Sequence, residues 1–169
     1  MRNPPKQSAL WRNMMKSLKV VFLAGAIFLL TQAGTAIAQA ERDFKAEENN
    51  RTLVLEFYDK FFNKHQVLEA AKVVADNYKQ HNPTVPDGKE PFVSYYLDFF
   101  KANPQSRARV VRSAVDGDIV WLHVHSVNDA KDRGEAVLDV FRVKDGVIVE
   151  HWDVIQPVPE KAENSNTMF

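Results

Sequence analysis

Apolar residues along the chain follow three regimes: an unbroken run, a helical repeat and a strand alternation. The unbroken run covers residues 20–30 and carries no charge. Between residues 51 and 64, Val54, Phe57, Tyr58, Phe61 and Phe62 recur at spacings of three and four, which predicts one buried helical face. Val67, Leu68, Ala71, Val74 and Ala75 repeat the pattern in a second, shorter helix. Residues 78–83 are too short and polar to continue it, and Pro83 disfavours a helix before it. A third helix is predicted from Asp87, an N-cap residue with Glu90 three positions on. It buries Phe92, Tyr95, Tyr96, Phe99 and Phe100, tolerates Pro91 in its first turn and stops at Asn103-Pro104.

The period then drops to two. Residues 107–115, 119–127, 135–143 and 147–155 read as four strands, divided by Asp116-Gly117-Asp118, residues 128–134 and Asp145-Gly146. Three helices followed by an antiparallel meander predict an α+β domain. A strongly twisted sheet of this kind curls around its helices and leaves a cavity at the open end.

Ionisable residues interrupt the strand faces. Trp121, His123 and His125 share one face of the second strand, and Val137, Asp139, Phe141 and Val143 one face of the third. In the fourth, Val147, Val149, His151, Asp153 and Ile155 alternate together. The last hairpin decides which of these meet. A three-residue loop with Gly146 in a left-handed bulge sets Asp139 opposite His151 and Val137 opposite Asp153. A two-residue loop sets Asp139 beside Trp152 and turns His151 and Asp153 to the other side. Both registers are open at this level.

Composition sharpens the picture at the N-terminus. The chain has 22 basic and 22 acidic residues, but residues 1–40 hold five bases and no acid, which leaves 17 against 22 and a net of −5 beyond them. The basic stretch, the apolar run and the Ala36-Ile37-Ala38 and Ala38-Gln39-Ala40 sites follow the order of a cleavable secretory signal. The expected organisation is a signal at 1–40, a polar lead-in at 41–50, one domain at 51–157 and a tail at 158–169. The product is expected to be exported, periplasmic or secreted, with no stable membrane insertion after cleavage. A net-acidic protein is a poor partner for nucleic acid. With no cysteine there is no disulfide or thiol nucleophile, and no H-x-x-H or H-E-x-x-H spacing occurs, so no metal is expected. Gly-rich phosphate loops are also missing from the sequence, and no cofactor is expected.

Tyr78-Lys79-Gln80-His81-Asn82-Pro83 with Val85-Pro86-Asp87-Gly88-Lys89-Glu90 resembles the first signature of the SnoaL-like polyketide cyclase family. Asp116-Gly117-Asp118 leading to His123 and His125, Phe141-Arg142-Val143, and the segment from Asp145-Gly146 to His151-Trp152-Asp153 extend the resemblance, as does the C-terminal Asn164–Phe169. It spans about residues 50–169. It implies the nuclear transport factor 2-like fold, a cone-shaped α+β barrel in which three N-terminal helices pack on a curved antiparallel sheet around a pocket, commonly as a homodimer. It also implies cofactor-free aldol cyclisation with an acid/base aspartate, here Asp153. The family's neighbouring histidine falls on Asp139, where this chain departs from the family's pattern. The same fold carries many reactions.

The expected site therefore has Asp153 as general base and acid, Asp139 sharing or relaying a proton, and His81, His123 and His151 polarising a carbonyl. Tyr78 and Asn82 would donate hydrogen bonds, His125 would join the lining, and Trp121 and Phe141 would form the apolar wall. The functions in view are an acid/base lyase, isomerase or hydrolase of a small apolar carbonyl compound, a non-catalytic module binding a small hydrophobic molecule, and an assembly module using its sheet as a dimer face.

Overall fold

The computed structural model describes residues 42–169; the predicted signal and its cleavage sites lie outside them. Helix α1 (Phe44–Tyr58) begins seven residues earlier than its apolar spacing indicated. The reason is local. Asp43 accepts hydrogen bonds from the backbone N–H groups of Lys45 and Ala46, so the polar lead-in is the capped first two turns. The carboxylate of Glu47, buried in this first turn, is gripped by Arg42 at 2.7 Å and by the N–H of Gly117 at 3.0 Å. The helix is thereby pinned to the turn at Asp116-Gly117-Asp118. Its end widens into a π turn (Asp59–Asn63), and Phe61 and Phe62 both pack against the aromatic rings of the third helix.

The second predicted helix is shorter than expected. Helix α2 (Val67–Ala70) tightens into a 3₁₀ turn (Ala71–Val73), and the chain then extends as β1 (Val74–Gln80). This strand has Val74 and Tyr78 buried, but Asp76, Asn77 and Lys79 face water, so its polar sequence hid it. Helix α3 (Lys89–Ala102) follows. Asp87 does not cap it: Gly88 holds the cap position, and the Asp87 carboxylate accepts the backbone N–H of Gln80 at 2.8 Å.

Four further strands complete the domain: β2 (Arg107–Asp116), β3 (Ile119–Val127), β4 (Glu135–Lys144) and β5 (Val147–Pro157). The sheet order is β1-β5-β4-β3-β2, with β1 parallel to β5 and every other pair antiparallel. The expected all-antiparallel sheet is therefore mixed. A parallel neighbour needs a long crossover, and residues 81–146 supply it. The sheet is curved and unclosed, with the helices packed on one face. Its inner face carries Val120, Leu122, Val124, Val137, Phe141, Val143 and Ile148 against Val54, Phe57 and Phe61 of the helices.

The β4–β5 hairpin resolves the open register. Lys144 pairs with Val147 across a two-residue turn in which Asp145 and Gly146 have φ of 51° and 75°, a geometry that matches the sheet twist. A two-residue turn alone would send His151 outward. Val143 pairs with Ile148 but Arg142 pairs with Glu150, so Val149 is an extra residue that shifts the phase by one. The bulge thus lies in the strand rather than in the turn. It sets Asp139 opposite Asp153 and Phe141 opposite His151, where the three-residue loop had matched Asp139 with His151.

Candidate functional site

Between the inner face of the sheet and helix α3 lies a cavity of about 920 Å³. Phe62, Phe92, Tyr96, Phe99 and Phe100 form its apolar wall, and its polar floor comes from β1, β4 and β5. Gln80 and His151 are Cα partners in the β1–β5 ladder, and Asp139 and Asp153 in the β4–β5 ladder. Three adjacent strands therefore deliver four polar groups to a common spot, Gln80 from β1, His151 and Asp153 from β5 and Asp139 from β4.

The floor is a connected network. Asp139, only 6% exposed, accepts the Tyr58 hydroxyl on Oδ2 at 2.7 Å, while its Oδ1 lies 2.9 Å from His151 Nε2. The other ring nitrogen of His151, Nδ1, lies 3.0 Å from Gln80 Oε1, which also accepts the backbone N–H of Asn82 at 3.0 Å. Phe141 packs against the imidazole with ring centres 4.7 Å apart. Asp153 stands beside this chain. Both of its oxygens accept from the Asn82 side-chain amide, at 2.9 and 2.8 Å, and Thr84 holds the far oxygen of that amide through its N–H and hydroxyl. No Lys, Arg or His forms an ion pair with Asp153 among the described residues.

Three phenols face these carboxylates. Burial pushes the Tyr58 hydroxyl well above the usual phenol range, and the negative charge of Asp139 adds to the effect. Tyr78 and Tyr96 are raised for the same two causes in the same order. All three are proton donors at any ordinary pH. The Tyr96 hydroxyl lines the cavity and makes no hydrogen bond to another described residue.

Of the residues expected at the site, Asp139, His151, Asp153, Tyr78, Asn82 and Phe141 converge on the cavity. Asn82 holds Asp153 instead of standing free. Trp121, His123 and His125 do not converge: Val120, Leu122 and Val124 take the inner face of β3, so strand alternation sends the two histidines and the tryptophan to the outer one. There His125 stacks on Phe169 with ring centres 4.2 Å apart, and Arg112 lies 2.8 Å from His123 Nδ1. His81 is also outside, stacked on Trp152 and hydrogen-bonded to Glu150 at 2.8 Å. The carboxylate of Glu150 is held below the usual range, first by His81 and then by Arg142.

Tyr58, Gln80 and Tyr96 were missing from the expected site. Tyr58 and Tyr96 lie on apolar helix faces and look like core aromatics; a buried tyrosine still needs a partner for its hydroxyl, and that was the available signal. Gln80 sits inside the Tyr78–Pro83 motif, but only the parallel β1–β5 pairing gives it a neighbour. Asp139, His151 and Asp153 each place one donor atom within 4.8 Å of the others, close enough to grip a cation, yet Asp139 and His151 already satisfy one another.

This cone of helices on a curved, open sheet is the nuclear transport factor 2-like fold. A SnoaL-like protein of unknown function from Burkholderia thailandensis superposes with a TM-score of 0.57 at 17% identity, covering 65% of this chain and 96% of that one. A Kribbella flavida protein provisionally named a ketosteroid isomerase gives 0.55 at 18% identity, covering 70% and 85%. One provisionally named a polyketide cyclase, from Bacillus cereus, gives 0.52 at 23%, covering 63% and 74%. Among curated proteins none matches the sequence. The SnoaL-like domain model matches residues 54–151, and the chain belongs to that family.

Proposed function

We propose that the cavity is a cofactor-independent acid/base site for a small, mostly apolar, carbonyl-bearing molecule, of the aldol-type cyclase, isomerase or hydrolase kind. The observation that carries this is Asp153: a carboxylate in a cavity with an aromatic wall, aimed by a neutral amide and in no ion pair among the described residues. In this scheme Asp153 removes a proton from the carbon beside the carbonyl. The Tyr96 hydroxyl donates a hydrogen bond to the carbonyl oxygen as charge develops there, and Asp153 returns the proton to carbon or to a leaving group.

The breadth of the aromatic wall also suits a second function, a non-catalytic module that binds a small hydrophobic ligand. One variant separates the two. Asp153→Asn removes the proton chemistry and relieves a half-buried charge while keeping one of two hydrogen bonds, so the melting temperature should hold. Exchange of α-protons from an apolar ketone such as 2-decalone into D₂O should fall roughly 10²–10⁴-fold. A drop of several degrees in melting temperature, with exchange or binding untouched, would make Asp153 structural and end the enzyme proposal.

Export and assembly belong to the same proposal. The basic, apolar and Ala-x-Ala order of residues 1–40 supports a cleaved signal, and intact mass of the exported protein would read it directly. The outer sheet face, with Leu138, Val140, Trp152 and Val154, suits a homodimer contact. Sedimentation that finds only monomer at micromolar concentration would refute that contact.

A further inference from the structure

The hydrogen bonds around His151 settle more than its position. Gln80 Oε1 faces the backbone N–H of Asn82 at 3.0 Å, and a backbone nitrogen can only donate, so the Gln80 atom there is the carbonyl oxygen. The same oxygen lies 3.0 Å from His151 Nδ1. An oxygen that only accepts demands a proton on Nδ1. A neutral imidazole then has a bare lone pair on Nε2, and that lone pair points at Asp139 Oδ1, 2.9 Å away. Two lone pairs cannot share that distance without a proton between them. Tyr58 cannot supply it, because its own proton is donated to the other oxygen, Oδ2, and its hydroxyl is held far from ionisation.

We propose that Gln80 is a positioning residue that fixes the Nδ1–H form of His151 and thereby makes the buried Asp139–His151 couple neutral overall, so that no second negative charge stands beside Asp153 on the cavity floor. The couple is either carboxylic acid with imidazole or carboxylate with imidazolium; one proton lies between Oδ1 and Nε2 in both forms. Without the Gln80 oxygen the imidazole could put its single proton on Nε2, and the couple would carry a full negative charge beside Asp153. Two like charges at that separation in an apolar site are costly, and the extra one would blunt the base by drawing a proton onto the pair. The titratable groups facing the imidazole are Asp139 on β4, Asp153 on β5, Tyr78 on β1, and Tyr58 and Tyr96 on the helices. The three phenols stay protonated, so the charge state is decided between Asp139, His151 and Gln80. The chemical consequence, a base with no second charge beside it, rests on the acid/base proposal above. The charge state itself does not.

Nitrogen-15 NMR of the imidazoles in the full-length protein tests it without any substrate. His151 signals are identified by their loss in His151→Gln. In the parent protein, His151 Nδ1 should show the shift of a protonated ring nitrogen at every pH from 6 to 9. Gln80→Leu should move Nδ1 to the bare-nitrogen position at pH 8, and Gln80→Glu, which keeps an acceptor there, should restore the protonated one. A bare Nδ1 in the parent protein at pH 8 would overturn the proposal, whether or not the leucine variant folds. So would an Nδ1 that stays protonated in folded Gln80→Leu. Because no turnover is measured, this result and the Asp153→Asn result can fail separately.

Discussion

The two faces of the sheet each carry a histidine–carboxylate contact of nearly the same length, and they are chemically unlike. Inside, His151 meets Asp139 at 2.9 Å; outside, His81 meets Glu150 at 2.8 Å. The inner pair is 8% and 6% exposed and is completed by neutral groups, the Tyr58 hydroxyl and the Gln80 amide. The outer pair is partly exposed, 36% and 18% at its side chains, with His81 stacked on the Trp152 ring and Glu150 joined by Arg142. Burial makes the difference. Where water is excluded, every donor and acceptor must find a protein partner, and a missing one costs its full desolvation. Where water is present, charges are screened and partners are interchangeable. Distance alone does not mark a functional pair; the accounting of its remaining hydrogen bonds does.

The largest break in that comparison is Asp139→Ala. It leaves the Tyr58 hydroxyl and a His151 nitrogen without partners in the interior, and should destabilise the domain by about 3 kcal/mol, read as a fall in the denaturant midpoint. A cost no greater than that of an exposed pair would show that water reaches the floor freely. Tyr58→Phe is milder, since Asp139 keeps His151. Its expected cost is about 1–2 kcal/mol in the same measurement, and a null effect would mean that the 2.7 Å hydrogen bond adds nothing to stability.

The smallest effect belongs to the outer pair. The Glu150 carboxyl is depressed in the folded protein, first by the His81 hydrogen bond and then by Arg142. Such a group adds stability above its unfolded value and loses it as pH falls through its folded value. Glu150→Gln should therefore cost under about 1 kcal/mol at pH 7. The gap between variant and parent should narrow as pH falls below the ordinary carboxylate range toward the depressed folded value. Denaturation across that range compares them; a gap that widens in acid would contradict the sign.

Much of the architecture was legible along the chain. The spacing of Phe57, Phe61 and Phe62, the Asn103-Pro104 stop, the four long strands and the Asp145-Gly146 turn are all properties of neighbours in sequence, and the family resemblance rests on the same stretches. The misses have two causes, a local cap and contacts between separate elements. The start of α1 depended on Asp43 capping a polar segment, and β1 became a strand only because β5 lies beside it. Asp87 left its capping role to hold the backbone of Gln80.

Sequence by itself determined the periods, the breaks between elements and the stock of ionisable groups on the strands, because local steric preference and alternation act over a few residues. Tertiary structure alone decided which face each group occupies and what it touches. Apolar Val120, Leu122 and Val124 claimed the interior of β3 and sent His123 and His125 out. The single extra residue at Val149 brought His151 and Asp153 in. Periodicity has no sign until a core picks one side, and a one-residue bulge reverses it. That choice is made by the free energy of the whole packed sheet, where burying aliphatic surface outweighs any preference of an isolated strand.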